Sequence, residues 1–149
     1  MKFYKAKTFD LNMLREIAYE SEKIWDVGEN FMDVFDDKYN ITEEFIEKEH
    51  VFYGVDKNEV IGFWGIKAQE GFSELVYFYI DHRWINQGYG RKIWEHLVSW
   101  SKDQGIQEFT FITSDRAAKF YKKMGATLME GKKSPSDERE VPYFHYRIT

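Results

Sequence analysis

Apolar and polar residues change period along this chain, and the changes mark out its elements. Over 2–7, Phe3, Lys5 and Lys7 alternate with Tyr4 and Ala6, a period of two that predicts a first strand. Asp10 is of a type that caps helices. After it, Leu11, Leu14, Ala18, Ser21 and Trp25 recur at helical spacing until Gly28 breaks the pattern. Phe31 to Phe35 reads as a short helix or loop. Thr42 with Glu43 and Glu44 opens a helix to about Glu49: an oxygen for the free N–H groups, then acids at the positive end of the dipole. Val51–Val55 and Val60–Ala68 read as strands of a hairpin turned by Asp56-Lys57-Asn58-Glu59, and Gly71 turns into a strand over Phe72–Ile80. A helix over Gly90–Asp103 buries Ile93, Trp94, Leu97 and Val98 and stops at Gly105. Ile106–Thr113 is a strand, and Asp115–Met124 is a helix with Ala117, Phe120, Tyr121 and Met124 on one side. Thr127–Glu130 and Tyr143–Ile148 are closing strands around a charged loop, Lys132 to Glu140.

This order predicts an α+β fold with a single mixed, mostly antiparallel central sheet of about seven strands flanked by helices. At 149 residues the chain is expected to form one domain, residues 1–149. Aromatic residues make up 19%, enough for a large core and for an apolar or stacking ligand pocket. Cysteine is absent, which excludes disulfides, thiol catalysis and cysteine-based zinc sites and suits a reducing compartment. The opening MKFYKAKTFD has no apolar signal segment and no run approaches membrane-spanning length. The expectation is a cytoplasmic protein without a membrane partner. A net charge of −5 argues against nucleic acid as a partner. The charge is uneven, however. Acids dominate from Glu16 to Glu49 and bases cluster from Arg83 to Lys123. Either these are two solvated faces, or one end suits a polyphosphate and the other a cationic ligand.

The stretch Tyr77 to Lys92, YFYIDHRWINQGYGRK, carries the most chemistry. Gly88 and Gly90 stand where a helix begins, so free N–H groups and the positive end of the helix dipole meet a backbone that carries no Cβ. That combination suits an anion, most often a phosphate, and Arg91 and Lys92 add charge beside it. The alternative is a tight strand-to-helix turn with no ligand. The dinucleotide fingerprint would need glycine at position 93, which is Ile93, and the P-loop pattern is absent. His50, His82, His96 and His145 show no paired spacing, so no metal site is expected, and no Gly-x-Ser-x-Gly elbow is present.

Segment 85–90, Ile-Asn-Gln-Gly-Tyr-Gly, resembles the pyrophosphate-binding loop of the GNAT superfamily of N-acetyltransferases, [Gln/Arg]-x-x-Gly-x-[Gly/Ala]. Gly88 and Gly90 match its small positions, and Ile85 departs from the usual Gln or Arg. Segment 114–126 resembles a second signature, Asn-x-x-Ala-x-x-Phe-Tyr-x-x-x-Gly-[Phe/Ala]. Ala117, Phe120, Tyr121 and Gly125 fit it, and Ser114 replaces the Asn. The resemblance covers residues 50–148 well and the first fifty only by layout. It implies that strands four and five splay to hold the pantetheine arm of acetyl-CoA as co-substrate. It also implies that Gln87, Gly88, Tyr89, Gly90, Arg91 and Lys92 bind the pyrophosphate.

Acetyl transfer from a thioester to an amine needs a base for the ammonium, a donor for the developing oxyanion and an acid for the thiolate. Tyr121 occupies the signature position where many members place the acid, and it also belongs with the coenzyme-binding residues. A phenol of pKa about 10 can protonate a thiolate of pKa about 8.5. Read without the motif, it is a core tyrosine on an amphipathic helix. Glu74 lies eleven residues before Ile85, where members with a strand-four glutamate base carry it, and shares a strand face with Val76, Phe78 and Ile80. Otherwise it is an exposed glutamate near a strand start. A backbone N–H around Phe78, Tyr79 and Ile80 is the implied oxyanion donor, and Ser114 stands where an asparagine touches the pantetheine arm. The expected partner is a small-molecule or peptide amine. The acidic segment 26–49 leans towards a cationic small molecule, and the family's habit makes a homodimer the matching assembly. Rival readings are a non-catalytic acyl-CoA-binding module and a partner-binding domain.

Overall fold

The computed structural model describes residues 1–24, 29–129, 132–133 and 140–149. The first part of the chain folds as β1 (Lys2–Lys5), a 3-10 turn (Thr8–Asp10), α1 (Leu11–Lys23), α2 (Glu29–Lys38) and α3 (Glu43–Lys48). Then come β2 (His50–Asp56), β3 (Glu59–Gln69), β4 (Phe72–Ile80), a 3-10 turn (His82–Trp84) and α4 (Tyr89–Asp103). The remainder is β5 (Glu108–Ile112), α5 (Asp115–Lys123), β6 (Thr127–Leu128), β7 (Lys132–Lys133), β8 (Glu140–Val141) and β9 (Tyr143–Arg147). Seven strands hydrogen-bond in the order β1-β2-β3-β4-β5-β9-β6, and β7 and β8 form a separate ribbon. The β1–β2, β2–β3, β5–β9 and β6–β9 pairs are antiparallel, whereas β4 and β5 are parallel. This is the mixed, mostly antiparallel sheet of an α+β fold. The parallel pair is in register at Glu74 and Thr110 alone, against five paired positions between β5 and β9.

The chain gathers into two compact units, one of Met1–Ile66 with Tyr77–Ile93 and one of Lys67–Val76 with Trp94–Thr149. In the first, Leu14, Ile17 and Ala18 of α1 bury with Phe35, Ile46, Val51, Phe63 and Tyr77. Phe45 meets Tyr77 edge-on at 4.9 Å, a pairing that adds about 0.5–1.5 kcal/mol to the area buried. The segment between α2 and α3 is held by polar groups. Arg15 donates to the carbonyls of Ile41 and Asp36, both at 2.7 Å, and the Asn40 amide donates to the Arg15 carbonyl at 2.9 Å. Thr42 accepts from Phe45 N at 3.1 Å and caps α3 as its sequence predicts. The β2–β3 hairpin turns through Lys57 and Asn58 at φ 53° and 63°, the paired left-handed turn that fits strand twist.

Asp10 differs from its expected role. Its backbone is helical rather than extended, and its carboxylate accepts from Lys7 N at 2.9 Å, closing the 3-10 turn instead of capping α1. β1 stops at Lys5, and α2 is a full ten-residue helix where a short helix or loop was the expectation. Trp25 and Gly28, the expected end of the first helix, lie outside the described residues, as does most of the charged loop 132–140.

In the second unit, Phe111 of β5 stacks on Phe144 of β9 at 5.4 Å, and Trp94 of α4 lies edge-on to Phe109 and Tyr146 at 5.7 and 5.1 Å.

Candidate functional site

In the first unit, a chain reversal links the end of β4 to the start of α4. Asp81 N donates to the Ile61 carbonyl at 2.7 Å, which fastens the end of β4 to β3. The Asp81 carboxylate then accepts from Arg83 N at 3.0 Å and from the Arg83 guanidinium at 3.1 and 3.0 Å. Asp81 is only 7% exposed. Burial by itself would push its pKa up. The bonds from the Arg83 side chain and backbone outweigh it and hold the carboxyl below its usual value. His82 Nδ1 lies 3.5 Å from the same carboxylate.

After this clamp, Asn86 adopts φ 64° and Gly88 φ 85°. Asn visits that region more readily than most residues, and glycine without strain. The space where a Gly88 side chain would stand is open, with no atom within 4 Å. α4 then starts at Tyr89, and its fifteen residues give the N-terminus a full dipole. Gln87, Arg91 and Lys92 are exposed, while Gly90 is half-buried in the first turn. Gln87 Nε2 donates to the Arg83 carbonyl at 3.4 Å.

Tyr89 is turned the other way. Its ring is buried, edge-on to Trp84 at 5.9 Å, and its hydroxyl donates to Asp56 Oδ2 at 2.6 Å. That bond holds the Asp56 carboxyl below its ordinary value and pushes the Tyr89 phenol up. The side chain thus ties the start of α4 to the β2–β3 hairpin, and what Tyr89 can offer an anion is its backbone. Lys92 Nζ stands 5.6 Å from the centre of this ring, a cation–π distance.

The β4 residues Phe78, Tyr79 and Ile80 are all half-buried. Tyr79 donates its hydroxyl to Glu22 Oε1 at 3.0 Å, and the Ile80 carbonyl accepts from Ser21 Oγ at 2.6 Å.

In the second unit, Ser114 Oγ accepts from Ala117 N at 3.4 Å and caps α5. Tyr121 is 6% exposed, with Phe111 at 4.6 Å, Trp94 at 5.7 Å and Phe144 at 6.0 Å from its ring centre. α5 ends through Gly125 at φ 97°. Glu74 is half-buried on β4, opposite Thr110 of β5, and shares its face with the 38%-exposed Val76. The opposite face carries Ser73 and Leu75, both buried, so Glu74 stands on the more open side of the strand. Among the described residues no three His, Asp or Glu side chains gather to hold a metal ion.

Asp81 and Asp56 were not visible as loop anchors in the sequence. Asp81-His82-Arg83 carried a turn signal, an aspartate two residues before the N–H that it accepts. Asp56 carried none, because its partner is 33 residues away. A test of the clamp is Asp81→Asn, which keeps the shape and removes the charge. Urea unfolding should show a loss of about 1.5–3 kcal/mol, the range for bonds to a charged group. Because the folded pKa is depressed, the wild-type advantage should be complete above the ordinary value of 3.8 and should fade as pH drops through the lower folded value.

Residues 11–126 match the family model described as the Acetyltransferase (GNAT) family. No curated protein matches. The fold is similar to that of the PaiA N-acetyltransferase from Thermoplasma acidophilum in complex with coenzyme A, at 17% identity and a TM-score of 0.83, covering 98% of each chain. It is similar to the ribosomal-protein-S18-alanine N-acetyltransferase from Escherichia coli, at 16% identity and a TM-score of 0.74, covering 99% of this chain and 94% of that one. An N-acetyltransferase from Staphylococcus aureus Mu50 is similar at 13% identity and a TM-score of 0.69, covering 99% of this chain and 98% of that one.

Proposed function

Because the chain belongs to the GNAT acetyltransferase family, we propose that it moves an acetyl group from acetyl-CoA to a primary amine by direct attack in a ternary complex. The observation that carries this reading is the turn before α4. Gly88 is left-handed, faces open space and precedes the N-terminus of a fifteen-residue helix with Arg91 and Lys92 exposed in its first turn. Free N–H groups, the helix dipole and two cations together fit a pyrophosphate. The neighbour from Thermoplasma acidophilum, solved with coenzyme A, supports the same choice of co-substrate.

In this reading Glu74 takes a proton from the acceptor ammonium, directly or through one water. The free amine attacks the thioester carbonyl, and a backbone N–H in Phe78–Ile80 stabilises the oxyanion. When the carbon–sulfur bond breaks, Tyr121 gives its proton to the departing thiolate. The products are an amide and free coenzyme A, with no covalent enzyme intermediate. Ser114, which caps α5, is assigned to the pantetheine arm through the position it holds in the second signature.

The acceptor is proposed as a small molecule or peptide with a primary amine, with a cationic small molecule favoured by the acidic segment 26–49. A cytoplasmic location and a homodimer belong to the same proposal. No described helix is long and apolar enough to cross a membrane.

Calorimetry with acetyl-CoA tests the reading at its base, and thiol release with a panel of amines tests transfer. Gly88→Val puts a β-branched residue at φ 85°, a strain of about 1–3 kcal/mol that the turn relieves by moving. The expected result is wild-type binding and a variant weaker by roughly 10–100-fold with an unchanged far-UV spectrum. A wild type that binds no acetyl-CoA would overturn the proposal.

A further inference from the structure

The geometry points to Gly62 of β3 as a positioning residue for acetyl transfer, one that sets the Tyr79–Ile80 peptide of β4 so that the Ile80 N–H can meet the acetyl carbonyl oxygen. This inference rests on the acetyl-transfer reading above and adds a residue that touches no substrate.

Side chains of a sheet stand out of its plane, clear of the neighbouring backbone. At Gly62 they could not. A Cβ there would overlap the Tyr79 carbonyl oxygen outright, and would lie 2.9 Å from Ile93 Cδ1 and 3.1 Å from Ile80 Cα. The first obstacle is therefore backbone, which cannot swing aside as a side chain can. Gly65 and Gly54 are crowded too, but by ring atoms: Phe45 and Tyr77, both at 3.0 Å, and Phe3 at 2.9 Å. Gly62 is thus the glycine of β3 whose missing Cβ decides where β4 runs.

Its neighbours allow little escape. The next peptide, Ile80–Asp81, is held at both polar groups. The Ile80 carbonyl accepts from Ser21 Oγ at 2.6 Å, and Asp81 N donates to the Ile61 carbonyl at 2.7 Å. Asp81 is fixed further by Arg83, and Tyr79 is tied to Glu22 through its hydroxyl. A Cβ at position 62 must then rotate or displace the Tyr79–Ile80 peptide itself. That peptide is trans and planar, so its N–H points opposite to its carbonyl. The carbonyl lies against β3 at Gly62, and the Ile80 N–H therefore points away from β3. An N–H in this orientation, on a peptide bracketed on each side, is pre-aimed in the way an oxyanion donor requires.

The test compares Gly62→Ala with Gly65→Ala in the full chain. Readouts are acetyl-CoA affinity by calorimetry, turnover as thiol release with the most active of spermidine, kanamycin, lysine ethyl ester and an alanine-first peptide, and the infrared carbonyl stretch of bound acetyl-CoA carrying ¹³C at the acetyl carbonyl. Wild type should show a carbonyl stretch shifted to lower frequency than in free acetyl-CoA. Gly62→Ala should bind acetyl-CoA within about threefold, lose turnover by roughly 10²–10³, the loss on removing one oxyanion donor, and return the stretch towards its free value. Gly65→Ala should keep both turnover and stretch. The double variant Gly62→Ala/Ile93→Ala removes the side-chain crowding and keeps the backbone clash, so it should fold and stay slow.

Turnover of Gly62→Ala or of the double variant within threefold of wild type would overturn the proposal. So would a wild-type carbonyl at the free frequency, however the variants fold. Failure of both variants to fold would overturn it by assigning Gly62 to the core alone. If wild type neither binds acetyl-CoA nor releases thiol, the acetyl-transfer reading itself fails, a result distinct from any of these.

Discussion

Tyr121→Phe should leave the protein folded and able to bind acetyl-CoA, and should lower its turnover about 10²–10⁴-fold, the usual contribution of a positioned acid or base. The substitution is informative because of where the ring lies. Tyr121 is 6% exposed, packed among Phe111, Trp94 and Phe144, so the ring is part of the second unit's core whatever the hydroxyl does. Tyr121→Ala would open a cavity costing about 3–5 kcal/mol and would confuse packing with chemistry. Phenylalanine keeps the packing and deletes one hydroxyl, worth about 0.5–1.5 kcal/mol to stability. Thermal melting and calorimetry should therefore move little while thiol release with the best amine acceptor collapses. Turnover within threefold of wild type would return Tyr121 to the core and leave the thiolate to be protonated by water.

What the sequence made legible follows the range of the interactions involved. β4 was read over Phe72–Ile80 and is found there, because seven apolar or aromatic residues among the nine positions between Gly71 and a polar turn leave a strand little choice. The hairpin at Lys57-Asn58 was legible for the same local reason, and so was the Thr42 cap of α3. Asp10 misled because the residue type that caps a helix also closes a 3-10 turn, and only the observed backbone separates the two. Tyr89 was grouped with the pyrophosphate-binding residues because it lies between two glycines, yet its side chain turns inward to Asp56.

Gly62 was passed over entirely. Nothing local marks it, since the oxygen it makes room for belongs to a residue 17 positions later in the chain. Candidate chemistry was legible through motif positions. The parts that hold it in place, Asp81 with Arg83 and Asp56 with Tyr89, depend on which strand ends the fold brings together. Spacing along one strand cannot report that.

Glu74→Gln should bind acetyl-CoA normally, transfer acetyl slowly at pH 7 and recover at high pH. The argument starts from the acceptor. An alkyl amine with a pKa of about 10.4 is free at pH 7 in roughly one molecule of 2,500, and only the free form attacks. A base beside the acceptor lifts that restriction, and Glu74 stands half-buried on the more open face of β4, opposite Thr110. Glutamine keeps the shape and the hydrogen-bonding reach of the side chain and loses its basicity. Solvent must then do the deprotonation. At pH 9.4 about one amine in ten is free, so the variant's turnover should climb roughly 200-fold from its value at pH 7. The wild-type profile should be flatter over the same range. A loss of equal size at every pH would instead assign the carboxylate to holding the acceptor's positive charge, with KM rising rather than kcat falling. Wild-type rates at every pH would remove Glu74 from the mechanism and move the search for the base to the first unit, where Glu22 stands hydrogen-bonded to Tyr79 of the same strand.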